Sequence, residues 1–490
     1  MLNIVSTNPA IIDSKGNPYL EGPHAPTREE IDALDLEVIG EVPRDLDGIY
    51  LRNGPNPRHD PLGVHHWFDG DGMLHGVVIA DGKISYRNRW IRTRGFETEE
   101  AAGKTIWPGI IDRPDRSLEQ AWGSDRNLKD ASNTDVVFHN GKAVTTFYQC
   151  GDPYVVDPHT LETLGTLDLD QQDVRSMSAH NMVDERTGEM MFFDYATVRP
   201  FMTYGVLDAH GKLVNHTEID LPGARLPHTL AISENYTILM DLPLFWDPEL
   251  LKLDAHKVKF HPDLPSRFGV IPRHGNGTQI RWFEAEPTYI YHIINAWEDG
   301  DEIVLDGCRL GHPEPTQDDR RRYAGPYASL MAWMKLDASY HRWRFNLKTG
   351  ECRESRISDL ISEFPMINSR LNGVPTRYSY HVSFAEADTV LFDGLVKYDS
   401  RTGKIWQHRY EPGHFGSEAP FAPRTGSEAE DDGYVVSFVS VPAEDRAELQ
   451  VYDAQDIEAG PVCRALIPNH IASGFHACWI AGDRLQPAQD

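Results

Sequence analysis

VVDPHTLETLGTLDL (155–169), VDERTGEMMFFDY (183–195) and VLDAHGKLVNHTEI (206–219) repeat one local plan along the chain. A short apolar strand runs into an Asp-led turn containing Gly or Thr, and a second strand leaves it. The plan returns as FNLKTGECRESRI (345–357), KYDSRTGKIWQHRY (397–410) and VYDAQDIEAGPVCRAL (451–466). Asp or Asn at the turn start caps the bend, and Gly supplies the positive φ that a tight hairpin demands. Scattered copies of one hairpin imply radial repetition, in which each copy adds its own small core. The expected fold is therefore all-β, a β-propeller, with a pair of β-sandwiches as the alternative. The spacing between copies is irregular, so insertions must sit between strands.

The chain has 490 residues, beyond the usual size of one hydrophobic core, but repeat folds are exempt from that limit. The 33 prolines and 39 glycines are spread as many short turns require, and no long linker divides the sequence. Residues 1–34 read as an N-terminal extension and residues 35–490 as a single propeller domain with cap insertions. Helical signals are few: TREEIDALDL (27–36), ETEEAAGK (97–104) and RRRYAGPYASLMAWMK (320–335).

Acidic residues outnumber basic ones by 75 to 47, a formal charge of −28. That excludes nucleic acid as a partner, because phosphate binding needs a positive surface. The five cysteines form no CxxC pair, and reduced thiols in a cytoplasmic protein are expected. The N-terminus lacks a basic start followed by an apolar run, and no stretch approaches the length of a membrane span. LPLFWDPELL (242–251) and YASLMAWM (327–334) are the most apolar insertions. They form either a lip for peripheral membrane contact or a surface buried against the propeller.

Of 22 histidines, four stand out by context: His180 in SMSAHNMV, His228 in RLPHTLAIS, His292 in TYIYHIINAW and His476 in ASGFHACWI. A lone histidine is more often a hydrogen-bonded structural residue than a ligand. These four, however, sit at or inside apolar strands, where an uncompensated imidazole is costly. Their separations are too wide for a local metal motif, yet they suit one histidine from each of several blades. A set of neutral imidazoles would suit divalent iron, copper, nickel or zinc. Glu363 in ISEFPMIN and Glu418 in GSEAPFAPR lie among apolar residues and prolines. They are either turn carboxylates or acceptors for the imidazoles' second N–H.

YLRNGPNP (50–57), HHWFDGDGMLHG (65–76), DPHTLETLG (157–165) and NAWEDGDEIVLDGCR (295–309) together resemble the carotenoid cleavage oxygenase family, in family order. That family includes carotenoid and apocarotenoid dioxygenases, retinal-forming enzymes, and lignostilbene and isoeugenol oxygenases. The resemblance implies a seven-bladed propeller with a helical and loop cap over its top face. It also implies Fe(II) held by four histidines, which map to His180, His228, His292 and His476. The family's glutamates behind the ligands map to Glu363, Glu418 and, as a substitution, Gln149, whose neutral amide offsets less charge.

The implied activity is oxidative cleavage of a C=C bond in a lipophilic carotenoid or apocarotenoid, with O2 as co-substrate and two carbonyl products. In the stilbene-cleaving branch a Tyr and a Lys grip the substrate phenol. The matching positions here are Ile110 and Tyr148, or Phe147 for the second, so the lysine is absent and a polyene is favoured over a phenol. Phe68, Trp107, Ile110, Phe147, Tyr148 and Phe475 are candidates to line the substrate path, against the plainer reading of core packing. Three rivals stay open: a phenylpropenoid or stilbene substrate, a non-enzymatic apocarotenoid carrier, and a hydrolytic zinc propeller.

Overall fold

The computed structural model describes residues 1–119, 128–169, 174, 176–253 and 257–485. Each of the six quoted segments is an antiparallel hairpin. Tyr154–Val156 pairs with Thr163–Thr166, Met182–Asp184 with Glu189–Tyr195, and Met202–Leu207 with Leu213–Glu218. Ala338–Asn346 pairs with Cys352–Ile361, Phe392–Asp399 with Ile405–Arg409, and Arg446–Asp453 with Pro461–Ile467.

The turns explain why. Asp157, Asp184, Asp208, Asn346, Asp399 and Asp453 each accept hydrogen bonds from backbone amides two to four residues ahead. In four of the six a glycine follows with φ between 72° and 79°, at Gly188, Gly211, Gly350 and Gly403. In the first hairpin Leu161 takes that left-handed position itself, at φ 60°.

The hairpins extend into antiparallel meanders. Three successive four-stranded sheets run from Asp135 to Thr166, Met182 to Glu218 and Ala231 to Ala285, and a fourth covers Ile290 to Ile361. A six-stranded sheet holds the N-terminal strands, and a branched ten-stranded sheet covers Glu363–Ile467 plus Val38–Gly40. The architecture is all-β with few helices. Its core lies between neighbouring sheets: Ile238, Met240 and Phe268 of one pack with Leu305, Trp343 and Phe345 of the next.

The chain ends are interlocked. Val38–Gly40 completes the sheet of Pro461–Ile467, while Ala477–Ala481 pairs with Gly48–Pro55. Residues 1–34 contribute Leu2–Thr7 and Glu29–Ala33 to the six-stranded sheet.

The helix expected over 27–36 is a correction, because Glu29–Ala33 is a strand between Leu2–Thr7 and Lys83–Trp90. Its Glu30 carboxylate accepts the Trp90 amide at 2.9 Å and pairs with Arg92, so tertiary pairing overrides local propensity. The second helical segment lies in the helix Arg94–Ala102, capped by Thr93 and ended by Gly103 at φ 65°. The third splits at Tyr323–Tyr327 into Gln317–Arg322 and Ala328–Trp333. Of the two apolar insertions, Leu242, Leu244, Phe245 and Trp246 are buried, as are Leu330 and Met334. The burial reading thus describes these side chains. Among the described residues no helix is long and apolar enough to cross a membrane.

Candidate metal centre

The four histidines come from four separate places in the sheet series. His180 precedes the strand Met182–Asp184, His228 precedes Ala231–Ile232, His292 lies in Ile290–Asp299 and His476 precedes Ala477–Ala481. The first three are the first strands of their sheets, the last is an edge strand of the six-stranded sheet, and Ala231–Ile232 touches Ile290–Asp299 directly. The imidazoles therefore meet although up to 184 residues separate neighbours in sequence, as 476 − 292 gives.

Ring centroids of His180 lie 4.6 Å from His228, 5.1 Å from His292 and 4.4 Å from His476. His292 is 5.5 Å from His228 and 4.7 Å from His476. Ring nitrogens of His180, His292 and His476 all lie within 4.8 Å of one another.

Carboxylates stand behind the cluster. His292 Nδ1 donates to Glu363 Oε2 at 2.5 Å, and the Phe364 amide donates to the same oxygen at 2.6 Å. His476 Nδ1 donates to Glu418 Oε1 at 3.1 Å, and the Ala477 amide donates to Oε2 at 2.5 Å. A carboxylate on Nδ1 fixes the tautomer and leaves the Nε2 lone pair facing inward. The His180 amide donates to Asp135 Oδ2 at 2.9 Å, holding His180 in the left-handed region at φ 61°. Such a backbone costs roughly 1 kcal/mol or more in a non-glycine residue and persists where surroundings impose it.

Burial, reinforced by the neighbouring imidazoles, pushes His180, His228 and His292 well below the usual histidine range. These rings are neutral at pH 7, the form a metal needs. For His476 burial acts the same way, but Glu418, Asp135 and Glu363 outweigh it and move the group upward. Burial also lifts Glu363 to about 8, and a divalent ion held by the imidazoles would draw it back towards its charged form. The Nε2 atoms of His180 and His292 are buried without any hydrogen-bond partner. Buried nitrogens left bare cost free energy unless something binds them, and a nitrogen-only donor set fits a divalent transition metal.

Gln149 is buried beside Tyr148, and its amide nitrogen donates to the Tyr148 hydroxyl at 2.7 Å. Above the rings lies a chamber of about 470 Å³ that reaches His228, His292 and His476. Three expected path residues line it: Phe68, Tyr148 and Phe475, with Phe68 5.1 Å from Tyr148 and 5.2 Å from Phe475. Ile110 and Phe147 pack behind Phe68 and Tyr148 and border a second cavity of about 550 Å³.

Trp107 stands apart. It lines that second cavity and not the chamber, and its indole N–H donates to the Glu119 carbonyl. Sequence reading missed Trp67, Thr134, Tyr291, Trp333 and Phe364 in the chamber wall. Position was the available signal for three of them: Trp67 adjoins Phe68, Tyr291 precedes His292, and Phe364 follows Glu363.

Comparison with known proteins bears on this geometry. The family model described as Retinal pigment epithelial membrane protein matches residues 24–481. The chain belongs to this family, the one that also contains the carotenoid cleavage oxygenases. A carotenoid 9,10(9',10')-cleavage dioxygenase 1 of Phaseolus vulgaris is 34% identical, over 96% of this chain and 90% of that protein. An isoeugenol monooxygenase of Pseudomonas nitroreducens is 32% identical, over 95% of this chain and 98% of that protein. The crystal structure of Pseudomonas brassicacearum lignostilbene dioxygenase superposes with a TM-score of 0.83 at 28% identity. It covers 95% of this chain and 99% of that one.

Proposed function

We propose that this family member is a non-haem iron(II) dioxygenase that cleaves a C=C bond of a carotenoid or apocarotenoid to two carbonyl products. The observation that carries the proposal is an aromatic-walled chamber ending on a cluster of four buried imidazoles. His180, His228, His292 and His476 would hold the ion, with Glu363 and Glu418 offsetting its charge through His292 and His476. When bound, iron(II) supplies the dioxygen activation that an electron-rich polyene requires.

The protein's own part is placement. Phe68, Tyr148, Phe364 and Phe475 offer flat apolar faces to a conjugated chain, and the double bond they seat beside the imidazoles decides the products. No side-chain nucleophile is needed.

The sheet series supports a seven-bladed propeller over residues 35–490, with Arg94–Ala102, Gln317–Arg322 and Ala328–Trp333 in its cap. A cytoplasmic protein with five free thiols is part of the same reading.

A second reading, cleavage of a phenylpropenoid or stilbene, draws on the isoeugenol and lignostilbene relatives. Against it, the resemblance puts an aromatic residue, Tyr148 or Phe147, where the stilbene-cleaving branch places its lysine. Iron-loaded protein is expected to consume an apocarotenal and give two carbonyl fragments by mass spectrometry, leaving resveratrol intact. Turnover of resveratrol with the apocarotenal untouched would select the second reading.

A further inference from the structure

The histidine cluster borders more than the apolar chamber. A larger cavity, partly open to solvent, also ends on it and is lined by His180, His292 and His476. The two spaces share His292 and His476; of the two, the chamber is the one that reaches His228 and the larger cavity the one that reaches His180. The cluster is thus a partition with a different space on either side.

The walls differ in chemistry. The chamber is built from rings and aliphatic side chains with one hydroxyl residue, Thr134, besides its tyrosines and histidines. The larger cavity is lined by Asn181, Thr229, Ser369, Asn372 and the Glu185–Arg484 ion pair, among apolar residues.

Asn181 is decisive. It is 4% exposed, and neither its amide nitrogen nor its amide oxygen has a hydrogen-bond partner. Leaving such a buried amide bare is costly, so it favours a bound partner. A buried amide with donor and acceptor both unmet, beside such a cavity, takes molecules that both give and accept hydrogen bonds, as water does. Towards the surface the Glu185–Arg484 pair, 2.6 Å apart with side chains 13% and 26% exposed, continues the polar lining.

We propose that this cavity is a second, hydrated passage to the metal centre, carrying water and small uncharged molecules such as dioxygen. A polyene filling the chamber would block that side of the cluster. The passage keeps the His180 side open while the organic substrate is in place, with Asn181 as the innermost station for ordered water. The proposal rests on the four-imidazole metal assignment above.

Nitric oxide, an uncharged diatomic that binds ferrous sites, is a suitable probe under anaerobic conditions, where no turnover occurs. Its binding to full-length iron(II)-loaded protein is followed by rapid-freeze electron paramagnetic resonance, with and without saturating apocarotenal. In the parent protein the apocarotenal is expected to slow binding by less than about twofold, and with apocarotenal present Ser369→Trp slows it about tenfold. Ser369→Ala controls for the loop, and equal iron content controls for folding. A high-resolution crystal structure is expected to show waters on both Asn181 amide atoms.

The passage is overturned if apocarotenal alone shuts out nitric oxide in the parent. Unchanged binding in an iron-replete Ser369→Trp, or a dry cavity around Asn181, also overturns it. A parent protein giving no ferrous–nitrosyl signal under any condition overturns the metal assignment beneath it, a distinguishable failure.

Discussion

Glu363, fully buried, accepts the His292 Nδ1–H and the Phe364 amide on one oxygen. Its value lies in charge as well as direction, because a nitrogen-only set leaves a divalent ion uncompensated. Glu363→Gln keeps an acceptor and loses the charge, and is expected to lower iron affinity about 10–100-fold in chelator competition. Equal affinity would mean that the carboxylate only orients the ring.

At this scale the sequence is informative where chemistry conflicts with surroundings. His180, His228, His292 and His476 stand in or just before apolar strands, and Glu363 and Glu418 among prolines and aromatics, so each is conspicuous. Asp135 and Asn181 are not, since one opens an ordinary strand and the other follows a histidine as any linker residue would. Aromatic residues are legible only by proximity to a recognised motif. Trp107 and Phe68 look alike in sequence, and the turn carrying each decides which cavity it meets.

The helix Arg94–Ala102 is fastened to the HHWFDGDGM segment through Lys129, whose Nζ lies 2.6 Å from both Asp71 and Glu99. All three side chains are largely buried. Burial opposes the lysine charge, but the two carboxylates outweigh it and raise the group above its ordinary value. Lys129→Ala strands two buried carboxylates and is expected to destabilise the protein by roughly 3–5 kcal/mol, seen as a lowered denaturant midpoint.

A second element shows a dependence on acidity. On the strand Arg446–Asp453, burial would raise Glu448, but Arg464, Arg446 and Gln450 outweigh it and hold the carboxyl at about 2. A carboxyl depressed in the folded state stabilises fully above its ordinary value of 4.5 and loses that contribution as pH falls towards 2. Glu448→Gln is expected to lower stability at pH 7 and to flatten the decline between pH 5 and 3, measured by thermal unfolding. A parallel decline in both proteins would contradict this.

Hairpins were legible at the element scale because Asp and Gly carry the turn geometry themselves. Glu29–Ala33 was not, because its acidic residues favour a helix N-terminus locally while its partners, Leu2–Thr7 and Lys83–Trp90, are distant.

Across the whole molecule, the ends of the chain close what the middle builds. Ala477–Ala481 pairs with Gly48–Pro55, and His476 stands at the entrance to that closing strand. Deleting residues from 476 onward therefore removes a cluster imidazole and exposes a sheet edge together. The truncated protein is expected to aggregate and retain no stoichiometric iron, whereas the point variant His476→Ala stays folded with weakened metal binding. An all-β repeat fold could be read from hairpins alone, but the interlocking of the ends could not, since no local pattern announces a pairing across more than 400 residues.

The most direct measurement is a crystal structure of the iron-loaded protein with anomalous scattering collected at the iron edge. One iron peak within about 2.0–2.3 Å of a ring nitrogen from each of His180, His228, His292 and His476 is the predicted result. An iron peak elsewhere, or one contacted by fewer than these four imidazoles, would contradict the account.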